Sequence, residues 1–394
     1  MNATQRVLSG RPNTQPSTQP KLPLSARVVD WFTGAERATY SMAGLRILFG
    51  IAILSFLASS APDRHYLWGA GSRWVDPAVE LRGWPEFLRL VFPKDNAVAF
   101  DISYAVMSLL AVLFLLGFAT RIVTPLLLLF WVALSTNSVF LANGGDTVMR
   151  IALLFCVLAN LSRHWSLDEW WRRRRGIPSI YPSAIVRRIP VWVRAAAHNT
   201  AVVLCGYQVV LIYVNAGIFK LMGKEWLDGS ALYYALNLDV FRVFPVLSDL
   251  AWKVTPFVVI GSWISIWAQL LFPLLLLWKP TRYAALVVIM GMHIGIGLFL
   301  GLWPFSLAMI ALDLVFIRDS SWERAFAWAR RMRRRARRRR LARRPPSAPP
   351  VSAAAAHPRT PVGLVEDRTD APPAPLTPTP ASSPPPPDAA ADQG

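Results

Sequence analysis

The 394-residue sequence predicts an all-α polytopic membrane protein: a bundle of about eight transmembrane helices with a disordered C-terminal tail. Three observations carry this reading. Hydrophobic residues make up 54% of the chain and charged residues only 16%, more apolar than a soluble domain of this size. Apolar runs of about 18–20 residues recur, the length a bilayer-spanning helix needs. The net charge of +19 is gathered beside those runs, at Arg172–Arg175, at Arg187 and Arg188, and in the block Arg330–Arg344. Cytoplasmic loops of membrane proteins carry this bias.

The spans are read at 41–61, 102–119, 122–141, 147–162, 200–219, 255–278, 283–301 and 303–317. The first forty residues are rich in Ser, Thr, Pro and Gln and lack the charged start of a secretory signal, so the first run is read as a retained span. The loop after it carries Trp68, Trp74 and Trp84, and its "PEFLRLVF" part suits the membrane surface. The run 303–317 is short and compatible with a re-entrant segment. With the N-terminus inside, Arg121, the connector 163–194, Lys279 with Arg282 and the C-terminal arginines all fall inside. The expected location is the cell membrane, multi-pass, with both termini cytoplasmic and the region Lys220–Lys253 outside.

Four segments follow: a disordered N-terminal stretch over 1–34, a transmembrane domain over 35–317, an Arg-rich juxtamembrane segment over 318–344, and a tail over 345–394. The tail is rich in Pro, Ala, Ser and Thr and buries too little apolar surface to offset chain entropy. The arginines Arg333–Arg340 have no stacking aromatics between them, which argues against nucleic acid as a partner. Cys156 and Cys205 fall in apolar runs, so no disulfide framework is expected. No Walker loop, dinucleotide glycine fingerprint, nucleophile elbow or metal-ligand spacing is visible.

Ionisable residues inside spans are costly and are candidate site residues by default. Here they are Arg46, Arg150, Lys220, His293 and Asp313. In "NGGDTVMR", Asp146 and Arg150 stand four residues apart on one helix face, either as a structural charge pair or as the rim of a buried site. Lys220 closes an apolar run. A lysine there snorkels to the interface, or, held in a partly dry pocket, acts as a base. Asn215, Gly217, Lys224, Glu225, Trp226 and Asp228 crowd the same exit, more polar chemistry than an anchor requires. His293 lies among Gly291, Gly295 and Gly297, where it serves packing or a site.

The stretch "YVNAGIFKLMGKEWLDG", from Tyr213 to Gly229, resembles the Tyr-x-x-Ala-Gly-x-x-Lys-Leu…Trp-x-x-Gly segment of vitamin K-dependent gamma-carboxylase and of its bacterial relatives, the HTTM (horizontally transferred transmembrane) domain proteins. "LGFATRI", "ANGGDTVMRIALLF" and "RHWSLDEW" stand in the order seen in that superfamily, as do the Arg46-bearing first span and "MHIGIGLFLGLWPFSLAMIALD". The resemblance covers roughly 35–317. It implies that Lys220 is the base that deprotonates a vitamin K-type hydroquinone, with His293 the counterpart of a late-span histidine. Arg46, Asp146, Arg150, Tyr213, Asn215 and Trp226 are then pocket residues. The carboxylase has a histidine where this chain has Gly145, and its large luminal domain is missing here, which argues against carboxylation of a glutamate-rich precursor.

Two functions are therefore expected. The first is a membrane-embedded enzyme using a lysine base on a quinone- or lipid-like molecule, with menaquinone or a vitamin K-type hydroquinone as cofactor. The second is a non-catalytic accessory protein, similar to sporulation-delaying protein B, that aids maturation or export of a secreted peptide partner. In both, the lipid bilayer is the constant partner.

Overall fold

The computed structural model describes residues 23–72, 85–138, 141, 144–176 and 188–342, with side chains to Arg338. Residues 1–22, Trp74, Trp84, Arg187 and the tail from Pro345 lie outside the described residues. Among those described, every element is helical. The longer helices are α1 (Leu24–Thr33), α2 (Thr39–Ser60), α3 (Ala97–Leu116), α4 (Thr120–Thr136), α5 (Gly144–Cys156), α6 (Val191–Leu221), α7 (Thr255–Leu270), α8 (Lys279–Leu300), α9 (Trp303–Asp313) and α10 (Asp319–Ala342). The eight apolar runs correspond to α2 through α9. Part of "PEFLRLVF" forms a single helical turn, Leu88–Val91.

The chain is thus an all-α membrane protein, but about eight crossings are not shown. By length and composition α2, α3, α6 and α8 can cross alone, and a fifth span results if Pro245–Trp252 and α7, bent by 91°, are one broken span. Helix α4 has 17 residues, α5 has 13 and α9 has 11. At 1.5 Å per residue α5 and α9 reach about 20 and 17 Å, short of a ~30 Å hydrocarbon core. For α9 the reason is its position. It packs chiefly on α2 and α8, and Ser306, Ala308, Met309, Ala311, Leu312 and Asp313 are buried. A helix enclosed by protein is not held to the length that lipid imposes.

Helix α1 falls in the stretch whose composition predicts disorder. It forms because its C-terminal end is tied to α6: the Asn199 amide donates to the carbonyls of Trp31, Phe32 and Ala35 at 3.1, 2.9 and 2.8 Å. One residue earlier, His198 Nε2 meets the Arg37 carbonyl at 2.7 Å, while its Nδ1 accepts from the Asn160 backbone N–H at 3.0 Å. These bonds use up the orphan backbone groups of the turn into α2.

Helix α2 follows Ala38, which has φ of 52° and offers no side-chain cap. A residue far along the chain supplies one. Asp319 accepts from the backbone N–H groups of Thr39 and Tyr40, each at 3.0 Å, placing a carboxylate at the positive end of α2. Asp319→Ala is expected to cost about 1–2 kcal/mol, as for a lost N-cap. Thermal unfolding of the purified protein in detergent measures this, and Asp319→Asn should recover part of the loss.

Helix α3 starts on an Asn96 cap, whose side chain accepts from Ala99 N–H at 3.0 Å. It ends at Gly117, with φ of 70°, the left-handed conformation common after helix ends. The last carbonyls of α3 are met by Arg46, fully buried on α2. Its guanidinium donates to Phe114 O at 3.1 Å, to Leu115 O at 2.8 Å and, from the other nitrogen, to Trp165 O at 2.7 Å. A Cβ on Gly117 would stand 2.1 Å from Arg46 Nη1, so the glycine serves the close approach as well as the turn.

Candidate functional site

Along α6, Tyr213, Gly217 and Lys220 follow one another at helical spacings of four and three, so they share a face. Gly217 sets how near α7 comes. A Cβ there would lie 3.1 Å from the backbone nitrogen of Leu270, and this close approach brings the neighbouring Gln269 to Lys220. The Lys220 amine donates to Gln269 Oε1 at 2.5 Å. After α6 the chain turns at Gly223 into the short helix Lys224–Leu227, which carries Trp226 back over the lysine. Lys220 Nζ lies 4.9 Å from the centre of that indole ring, within cation–π range.

Lys220 is half-buried. Its partners are a neutral amide and an aromatic ring, and among the described residues no carboxylate stands at ion-pair distance. The sheltering is done by packed side chains. The hollows at Asp146, between α8 and α10, and beside Trp165 are not lined by Lys220. Its neighbours face outward: Phe219 on α6 is 70% exposed and Met222, just past the end of the helix, 76%.

Deeper along α6, Tyr213 joins three helices. Its hydroxyl donates to the Asp313 carboxylate of α9 at 2.9 and 3.0 Å and lies 3.0 Å from His293 Nε2 of α8. All three side chains are buried. With the tyrosine proton directed at Asp313, His293 Nε2 donates to the phenol oxygen, and His293 Nδ1 is left buried without a partner. Removing the shared hydroxyl by Tyr213→Phe is expected to cost about 1–3 kcal/mol, because Asp313 then stays buried without its donor. The double variant Tyr213→Phe/Asp313→Leu should cost less than the sum of the single changes, as measured by thermal unfolding in the same detergent.

Residues 36–322 match the family described as the HTTM domain. The chain belongs to the HTTM family. Uncharacterized protein YitO of Bacillus subtilis (strain 168) is 25% identical over 205 residues, which is 50% of this chain and 60% of that protein. This HTTM chain thus spans under two thirds of that relative's length. No solved structure matches it.

Within this HTTM domain the residues singled out from sequence divide among several places. Lys220 and Trp226 meet, and Tyr213 meets His293. Arg46 lies toward the end of the bundle where α2 begins, as do His198 and Asn199, and Lys220 is about 33 Å from His198 along α6. Asn215 is exposed and donates to Leu211 O of its own helix at 2.9 Å. Asp146, buried on α5, lines a hollow of about 10 Å³ with Phe56, Trp68 and Trp131, room for roughly one water. Arg150 is on the same helix, one turn further.

Gln269 and Asp313 complete the two clusters. Asp313 stands out in the sequence as an acid inside an apolar run, though nothing there pairs it with Tyr213. A lone amide such as Gln269 in "ISIWAQLLFP" carries no such signal. Among the described residues no cluster of His, Cys, Asp or Glu is suited to a metal ion.

Proposed function

We propose that this HTTM protein is a membrane-embedded enzyme in which Lys220 takes a proton from an acidic hydroxyl of a quinol- or lipid-like molecule. The observation that carries it is an amine at the end of a long apolar helix, held by Gln269 and Trp226, with no carboxylate at ion-pair distance among the described residues. A purely structural lysine in that place would be neutralised by an acid or extended into water. The outward-facing Phe219 and Met222 open this end of α6 to an apolar molecule arriving from the bilayer. Menaquinone or a vitamin K-type hydroquinone suits the residues present. Lys220 can take a phenolic proton, and the Trp226 indole offers a face for an aromatic ring. Such a hydroquinone, when bound, supplies the acidic hydroxyl. The remaining work belongs to the chain: Gln269 orients the amine, and Tyr213, His293 and Asp313 fix α6 against α8 and α9 beneath it.

The reading includes eight crossings in the cell membrane with both termini cytoplasmic, which puts the arginine clusters inside and Lys220 toward the outer leaflet. Helix α9 then crosses among longer neighbours, while α5 keeps Ile151 and Leu154 exposed on one side. Asp146 and Arg150 order the outer rim.

The test is mass spectrometry of small molecules retained by detergent-purified protein. Wild type should keep a quinone- or lipid-class molecule that Lys220→Ala and Gln269→Ala lose while eluting as folded protein. Equal retention by all three contradicts the proposal.

One observation favours an accessory role instead. Leu238, Val240, Val243, Phe244, Val246 and Leu250 expose apolar surface between α6 and α7, more than an isolated surface residue explains. Under that reading a secreted peptide co-purifies, is lost on Val240→Asp with Val246→Asp, and persists in Lys220→Ala.

A further inference from the structure

A groove of about 740 Å³ runs between the start of α8 and the first turns of α10. Four cations line it: Lys279, Arg318, Arg324 and Arg330. Glu323 is the carboxylate on its wall, and among the described residues no ion pair joins it to any of the four. Hydroxyl groups join the two helices at the groove. Tyr283 Oη and Ser321 Oγ are 2.6 Å apart, and Arg324 Nη2 donates to the same serine oxygen at 3.1 Å. The Tyr283–Ser321 contact uses one of the two hydroxyl protons, so the other, together with the Arg324 guanidinium and the neighbouring cations, is left to donate to a phosphate group.

An apolar track leads away from it along α8. Val287, 72% exposed, stands one turn from Tyr283, and Ile294, 46% exposed, lies two turns beyond. Trp278, immediately before α8, is 62% exposed, an indole suited to the headgroup level. Charge at one end and an exposed apolar track on a membrane helix at the other match an amphiphile and not a free ion.

We infer that this groove is a binding site for an anionic phospholipid, whose phosphate is held by Lys279, Arg324 and the one free hydroxyl proton of the Tyr283–Ser321 pair while its acyl chains lie along Val287 and Ile294. This site is separate from Lys220 and independent of the reaction there. It differs from diffuse attraction of the Arg-rich helix to a charged leaflet, because it needs these residues and not merely their charge.

The test uses full-length protein in zwitterionic detergent, with native mass spectrometry counting bound phosphatidylglycerol against phosphatidylcholine. Wild type is expected to retain phosphatidylglycerol selectively. Lys279→Gln/Arg324→Gln should weaken it by about 25-fold, from roughly fivefold per cation at an anionic lipid surface. Arg334→Gln, which removes one charge outside the groove, and Tyr283→Phe, which removes none, separate the two explanations. The proposal requires Tyr283→Phe to weaken retention and Arg334→Gln to leave it unchanged. Equal loss in Arg334→Gln and either groove variant, or no preference for phosphatidylglycerol in wild type, overturns it. So does inorganic phosphate that binds as well as the lipid and displaces it completely.

Discussion

Arg46→Ala is expected to destabilise the protein by about 3–5 kcal/mol, the scale for removing a buried charged partner from groups that stay buried. The guanidinium is fully buried and serves three carbonyls, two at the C-terminal end of α3 and one at Trp165. Alanine leaves Leu115 O and Trp165 O without this donor and opens a space where the side chain packed. Arg46→Lys should recover only part of the loss, since one ammonium cannot reproduce a planar fork that reaches two segments at once. Gly117→Ala approaches the same damage from the other side, because the new Cβ would press on the guanidinium. Survival of monodisperse protein after heating, read by size exclusion, measures all three. A shift corresponding to less than about 1 kcal/mol for Arg46→Ala would mean that water meets those carbonyls equally well.

Lys220→Ala is expected to behave in the opposite way, with large loss of function and little loss of stability. A general base contributes about 10²–10⁴-fold to rate, so consumption of a reduced naphthoquinol by the protein in bilayers, with dioxygen supplied in the assay as the two-electron oxidant, should fall by at least about a hundredfold. The stability cost should stay near 1 kcal/mol, because the half-buried amine makes one hydrogen bond to a neutral amide. Gln269→Ala should lower turnover less than Lys220→Ala, since it releases the amine without removing it. Full turnover by Lys220→Ala would remove the lysine from the chemistry.

Much of the helical framework was legible because hydropathy is a strong signal: each apolar run from 41–61 to 303–317 became one of α2 to α9. The number of crossings was not, because helix length follows from what surrounds the helix. Helix α9 reads as a marginal span, and the structure encloses it between α2 and α8. The reading of Arg46 as a pocket residue followed from the cost of a charge in an apolar run. That cost is met by backbone carbonyls of a segment nearly seventy residues away, which one-dimensional spacing does not reveal. The motif around Lys220 located the half of the site that lies on α6 and on the turn after it. Gln269 reaches the lysine only because Gly217 lets α7 approach, so a contact between two distant stretches decides the site. Asp313 shows the same limit: its burial was foreseeable, its bond to Tyr213 was not.

Under the proposed function the Lys220 amine is sheltered from water yet open to a molecule arriving through the bilayer. Amine acylation in bilayer nanodiscs, with each lysine followed by mass spectrometry, tests this most directly, because the exposed Lys224 and Lys253 serve as internal references. A membrane-permeant reagent is expected to modify Lys220, a sulfonated impermeant reagent to modify it far more slowly than Lys224 and Lys253, and added naphthoquinol to protect it. Modification of Lys220 by the impermeant reagent as fast as the two references, without protection by naphthoquinol, would contradict the proposed function.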